Sequence, residues 1–210
     1  MIAAIPMNSI KISKKQLLPL YSKGKSMAEI ASKLKCSNNK IVYWMDKYQI
    51  KRRNRSDASY IKQNPNGDPF KIRKKLNSNE LFLLGLTVGI YWGEGTKATP
   101  HRLSVTNTDS GLLKVFIRFL IDICRINLDK IKYYLICFND SDPNEAKKYW
   151  SQELGISPSK FGKIVQIPPQ GKGTYIKKSK FGVCTVTVSN IKLKKWMMEK
   201  IDEQRSAWVV

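Results

Sequence analysis

Apolar positions repeat with two different periods along the chain, and the switches between them mark its elements. KKQLLPLYSKG, SMAEIASKL and SNNKIVYWMDKY, within residues 14–48, carry apolar residues at helical spacing. Gly24 stops the first segment, and KCS is a turn between the second and third. Ser26 with Glu29 three residues on has the form of a capping box, and Ser37 stands as an N-cap. Further on, Asn77 and Glu80 repeat the capping-box spacing and predict a helix from Ser78 to Gly93. RLSVTNT then alternates like a strand. SGLLKVFIRFLIDICRI returns to helical spacing, with Leu112, Val115, Phe116, Phe119 and Leu120 on one face. KIKYYLICF predicts a strand, and PNEAKKYWSQELG a helix with Pro143 in its first turn and Gly155 at its end. KIVQI and KFGVCTVTVS predict two more strands, and NIKLKKWMMEKIDEQ a last helix. The order α-β-α-β-α-β-β-α needs one face of a sheet for its helices and leaves the other face free.

Charge adds a partner to this picture. The 210 residues hold 38 Lys and Arg against 16 Asp and Glu, a net +22. A surface of that sign attracts polyanions, with nucleic acid first among them. The excess is concentrated: residues 1–78 hold 18 basic residues against 4 acidic, and the remainder 20 against 12. Between the parts, Pro65, Gly67 and Pro69 punctuate QNPNGDPFKIRKK, which reads as a linker. The expected organisation is a DNA-binding module over 1–56, a basic linker over 57–77 and a second domain over 78–210.

Composition also excludes. The apolar run Leu81 to Trp92 is 12 residues, too short for a bilayer that needs about 20. MIAAIPM lacks the basic start and cleavage site of a signal peptide, so a cytoplasmic, nucleoid-associated protein is expected. Cys36, Cys124, Cys137 and Cys184 form no CxxC pair and sit among apolar neighbours, which argues for reduced, buried thiols over a zinc site. One histidine, His101, builds neither a histidine metal site nor a Ser-His-Asp triad. GEGTK lacks the order of a phosphate-binding loop.

In the N-terminal part, Ala31, Ile41 and Trp44 are spaced so that a small residue in one helix lets the next pack close. Ser37, Asn38, Asn39, Lys40, Tyr43 and Lys47 then remain at the start and on the outer face of the third helix. Asn and Lys there suit major-groove edges and phosphates. The segment resembles the helix-turn-helix of resolvases and other bacterial DNA-binding proteins. Arg52, Arg53 and Arg55 follow directly and suit a phosphate backbone or a minor groove.

The apolar helix poses a different question. Gly85, Gly89 and Gly93 recur every four residues and form a ridge without side chains, at about 1 kcal/mol each relative to Ala. Such a ridge lets a second backbone approach. Glu94 then places an acid at the negative end of the helix dipole, where it is unfavourable unless something compensates.

TVGIYWGEG, Thr87 to Gly95, resembles the nine-residue LAGLIDADG motif of homing endonucleases. Gly89 matches the central glycine, Glu94 the penultimate acid and Gly95 the last glycine, while Thr87 and Trp92 depart from the pattern. The wider order, from GIYWGEGTK through SVTNTD to GVCTVTVS before a final helix, is similar to small single-motif proteins of that kind carried behind a helix-turn-helix. The resemblance implies an α+β fold: a three-helix module, then a saddle of antiparallel sheet with helices on one face. It implies a homodimer on double-stranded DNA, with motif helices crossing at Gly85, Gly89 and Gly93 and both Glu94 copies near the scissile phosphates.

The chemistry fits a phosphodiester, whose negative charge a divalent cation such as Mg²⁺ offsets. Glu94 and the Gly93 carbonyl are the expected metal ligands, and Lys97 the expected charge near the cut. On the free sheet face, Arg102, Ser104, Thr106, Lys132, Thr185 and Thr187 are expected to meet DNA. Lys130, Lys177, Lys178 and Lys180 are expected to reach phosphates. Two other readings stay open: a DNA-binding regulator that has lost cutting, and an RNA maturase.

Overall fold

Short polar caps start most helices of the chain, and the computed structural model describes them over residues 11–138, 141–168 and 179–208. Two compact units emerge, Met1–Asp68 and Pro69–Val210.

The first unit holds α1 (Lys14–Ser22), α2 (Met27–Lys33), α3 (Asn38–Lys47) and α4 (Arg55–Gln63). Ser13 with Gln16 and Ser26 with Glu29 form complete capping boxes, which satisfy helix-start amides that otherwise lack partners. The Glu29 carboxyl lies below its ordinary pKa because the Ser26 hydroxyl and then the Ser26 amide bond it. Ile12, Leu17, Tyr21, Ile30, Ala31, Ile41, Trp44 and Met45 form the core. Helix α4 was not expected, because residues 57–77 read as a linker. It is nine residues long and mostly polar, with Tyr60 and Ile61 half-buried and no residue fully buried, so its apolar signal is short. Gly24 explains how it packs: a Cβ there would lie 2.8 Å from Ile61 Cγ2, and φ is +91°.

The second unit begins with residues 69–76 laid against its own core, through Phe70, Ile72 and Leu76. These residues, too, are not a free linker. Then follow α5 (Ser78–Glu94), β1 (Arg102–Asn107), α6 (Ser110–Asp122), β2 (Ile131–Phe138), α7 (Pro143–Leu154), β3 (Val165–Ile167), β4 (Val183–Ser189) and α8 (Ile191–Trp208). The capping box of Asn77 and Glu80 is present as the sequence predicts. On α6 the buried face is Leu113, Phe116, Phe119 and Leu120; Leu112 and Val115 are only half-buried.

The sheet runs β1-β4-β2-β3. β1 with β4 and β4 with β2 are antiparallel, but β3 runs parallel to β2, so the sheet is mixed and not the antiparallel one expected. Leu103, Val105, Cys184, Val186, Val188, Tyr133 and Leu135 face the helices and join one core with them. Tyr91, Phe116, Phe119 and Trp196 stack in a row through that core, with centroids 6.4, 6.3 and 6.1 Å apart. Among the described residues, no helix is long and apolar enough to cross a membrane.

Candidate functional site

Helix α5 ends where Glu94 was expected to work. The acid is the last helical residue and is exposed. Its two flanking glycines have different physical reasons. A Cβ on Gly95 would lie 2.4 Å from the Tyr91 ring and carbonyl, so only glycine lets the chain turn back across Tyr91. A Cβ on Gly85, Gly89 or Gly93 would meet nothing within 4 Å. Among the described residues, then, nothing packs into the ridge. Phe82 is 73% exposed and Leu81 and Leu86 are also exposed, which extends an exposed apolar surface along the same helix.

The chain after Glu94 is held tightly. The Gly95 amide donates to the Tyr91 carbonyl at 2.9 Å, and the Thr96 amide to the Ser104 carbonyl at 2.9 Å. Gly95 also bridges to Val105, so residues 95–96 lie along the edge of β1. Two expectations change here. Lys97 Nζ donates to the Gly93 carbonyl at 3.1 Å, acting as a C-terminal cap for α5. The Gly93 carbonyl is thus not a bare ligand for a metal, because an ammonium on the same oxygen repels a second cation.

Sequence reasoning missed Lys194. Its side chain on α8 is only 3% exposed, yet has no acid beside it among the bonds of the described residues. Nζ donates to the Tyr91 hydroxyl at 2.6 Å and to the Thr96 carbonyl at 2.5 Å, and the Tyr91 hydroxyl donates to the same carbonyl at 2.7 Å. Burial, and then the nearby Lys97 charge, hold the Lys194 ammonium below its ordinary pKa. Burial also raises the Tyr91 phenol to about 12, so it stays a neutral donor. A signal was present: Lys194 is spaced three and seven residues before Met197 and Ile201, both buried on α8.

The outer sheet face is polar, as alternation predicts, but not wholly open. Arg102 and Lys132 are exposed. Thr106 and Thr185 are half-buried and bond to each other through their hydroxyls at 2.7 Å. Ser104 and Thr187 are each 3% exposed, contrary to expectation. Thr187 commits its hydroxyl to the Leu103 carbonyl at 3.3 Å, and Ser104 is flanked by β4 on one side and by residues 95–96 on the other. Lys130 and Lys180 are exposed; Lys177 and Lys178 lie outside the described residues.

In the first unit, Asn38, Asn39, Tyr43 and Lys47 are exposed on α3, with Lys40 half-exposed. Lys47 Nζ lies 5.8 and 5.1 Å from the Tyr43 and Trp44 ring centroids. The Ser37 hydroxyl accepts the Lys40 amide at 3.3 Å, which makes it a cap. Arg53 is not a free DNA contact. Its guanidinium donates to the Tyr21, Gly24 and Lys25 carbonyls and lies 3.9 Å from the Tyr21 ring centre, closing the end of α1. Arg52 and Arg55 remain exposed, with Arg52 3.8 Å from Asp46.

Among the described residues, no three His, Cys, Asp or Glu side chains converge as a metal cluster. No protein family, curated protein or solved structure compared with the chain matches it.

Proposed function

We propose that the chain binds double-stranded DNA and, as a homodimer, cuts it at specific sites with a divalent cation. The observation that carries this reading is the open glycine ridge of α5 running down to an exposed acid. A ridge that no described residue of its own chain fills is suited to a second backbone, and a second copy of α5 would bring a second Glu94 beside the first. Helix α3 supports the DNA half of the reading, since its exposed Asn, Lys and Tyr residues have the form of a helix-turn-helix recognition surface.

Among the described residues of one chain no His, Cys, Asp or Glu cluster gathers at Glu94, and Lys97 lies on the Gly93 carbonyl, so a cation site there needs further donors. Two Glu94 carboxylates with substrate phosphates would be the hard oxygen set that Mg²⁺ takes. Such an ion would offset phosphate charge and stabilise the leaving oxygen. The chain itself positions the acid: Gly95 and Lys194 fix the turn behind it, and Lys97 caps the helix that carries it.

A regulator that binds without cutting is the second reading, and the Lys97 cap on Gly93 favours it. Glu94→Gln separates the two. A nuclease loses Mg²⁺-dependent cutting of its selected duplex while its affinity stays within about threefold, since the change removes charge and little else. A wild-type protein that binds the duplex and never nicks it has the regulator's behaviour.

A further inference from the structure

Residues 69–76 are the basic stretch that reads as a linker, and their place in the second unit gives them another use. The Lys71 amide donates to the Cys124 carbonyl at 2.8 Å, the Arg73 amide to Ile123 at 2.9 Å, and the Asn127 amide to Pro69 at 3.0 Å. The backbone is thereby fastened just past the end of α6, with Phe70, Ile72 and Leu76 packed on the core. The side chains of Lys71, Arg73, Lys74 and Lys75 then line an open concavity of about 320 Å³ together with Arg125.

Arg73 is bonded to Glu80. Lys71, Lys74, Lys75 and Arg125 are exposed and form no salt bridge among the described residues. The ordinary use of cations at a helix end is to offset its negative pole. Here the carbonyls of Phe119, Leu120, Ile123 and Cys124 already accept backbone amides, so four more cations exceed that need. Arg125 adds a second argument. It holds φ at +45°, a backbone state that glycine adopts at lower cost, yet the position carries the longest cationic side chain. Like charges gathered on a fastened backbone repel one another, and a polyanion relieves that repulsion.

We propose that Lys71, Lys74, Lys75 and Arg125 form a contact for the phosphate backbone of duplex DNA, distinct from α3 and from the sheet face. This rests on the reading of the chain as a DNA-binding protein. The trough is open and cationic, with no enclosed polar side chain to orient one small anion, which suits successive phosphates of a polymer. Its contribution is sequence-independent, since backbone contacts set register and affinity and leave base reading to other surfaces.

The test is duplex binding by the full chain, measured by fluorescence anisotropy from about 50 to about 200 mM salt. Lys71→Gln, Lys74→Gln and Lys75→Gln are combined, with and without Arg125→Gln; the triple variant keeps the left-handed residue intact. Each lost phosphate contact lowers the slope of log affinity against log salt by about 0.9, so the triple variant's slope falls by about 2 to 3 units. Unchanged slope and affinity in a folded triple variant overturn the proposal. Pyrophosphate that stabilises wild type and not the triple variant, with an unchanged DNA slope, also overturns it and makes the trough a small-anion site. A wild-type chain that binds no duplex at all instead overturns the DNA reading on which the site depends.

Discussion

At the scale of single residues, the acid at the end of α5 is less solitary than its sequence suggests. Lys97 caps the carbonyl before it, and the buried Lys194 grips the Thr96 carbonyl two residues after it. Lys194 is costly where it sits, because burying an ammonium without an acid disfavours its charged form. Lys194→Met tests whether that cost serves position. The apolar stem replaces a buried cation, so stability at neutral pH changes by about 1 kcal/mol or less, or rises. Cutting falls by up to about 10²-fold, because the turn behind Glu94 loses a tether. A second readout separates the roles. The folded-state pKa of Lys194 is depressed below 10.5, so the unfolded chain holds that proton more tightly. Wild type therefore gains stability from this group as pH rises from the depressed value to 10.5, and the variant, followed by urea unfolding, lacks that gain. A variant with the wild-type pH profile and full activity removes Lys194 from the site. Legibility at this scale was uneven. Asn77, Glu80, Ser26 and Glu29 announced their caps because such bonds reach only three residues. Arg53 and Lys194 were not legible in their actual roles, because each bonds carbonyls that only the folded backbone brings close. The Lys97 bond is local, but a lysine past a helix end looks the same in sequence whether it caps the helix or stays free.

At the scale of elements, α5 is the helix whose composition and surroundings disagree most. It is more apolar than α6, the other strongly apolar helix, yet Phe82, Leu86 and the three glycines are exposed. Gly89→Ala and Gly89→Leu expose the reason. Neither Cβ clashes within the chain, so a helix with no partner gains up to about 1 kcal/mol from Ala. A helix that meets its own copy loses self-association with the leucine variant, by about tenfold or more for each 1.4 kcal/mol of misfit, as read by sedimentation equilibrium. Unchanged association in Gly89→Leu would remove the ridge from the dimer. The order of helices and strands was readable because apolar periods of two and 3.6 residues differ plainly. Helix α4 was hidden by its short, mostly polar sequence, and the parallel sense of β3 by its three-residue length. Pairing direction leaves no periodic trace in a strand.

At the scale of the whole molecule, the chain carries a net +22, and its two units each expose basic residues, which is the sign of surface that attracts polyanions in general. The basic excess of residues 1–78 was plain from counting, but its division was not. Residues 69–76 belong to the second unit, because Phe70, Ile72 and Leu76 pack on its core while Lys71, Lys74 and Lys75 stay exposed. Charge of this kind gives binding; it does not give cutting. Cutting would fall to the paired Glu94 residues of the proposed homodimer. The direct measurement is to select duplexes that the wild-type protein binds, add Mg²⁺, and map the ends of both strands. A homodimeric nuclease produces breaks on both strands at positions related by the two-fold axis, abolished by chelator and by Glu94→Gln. Tight, specific binding with both strands intact, at every metal supplied, contradicts it.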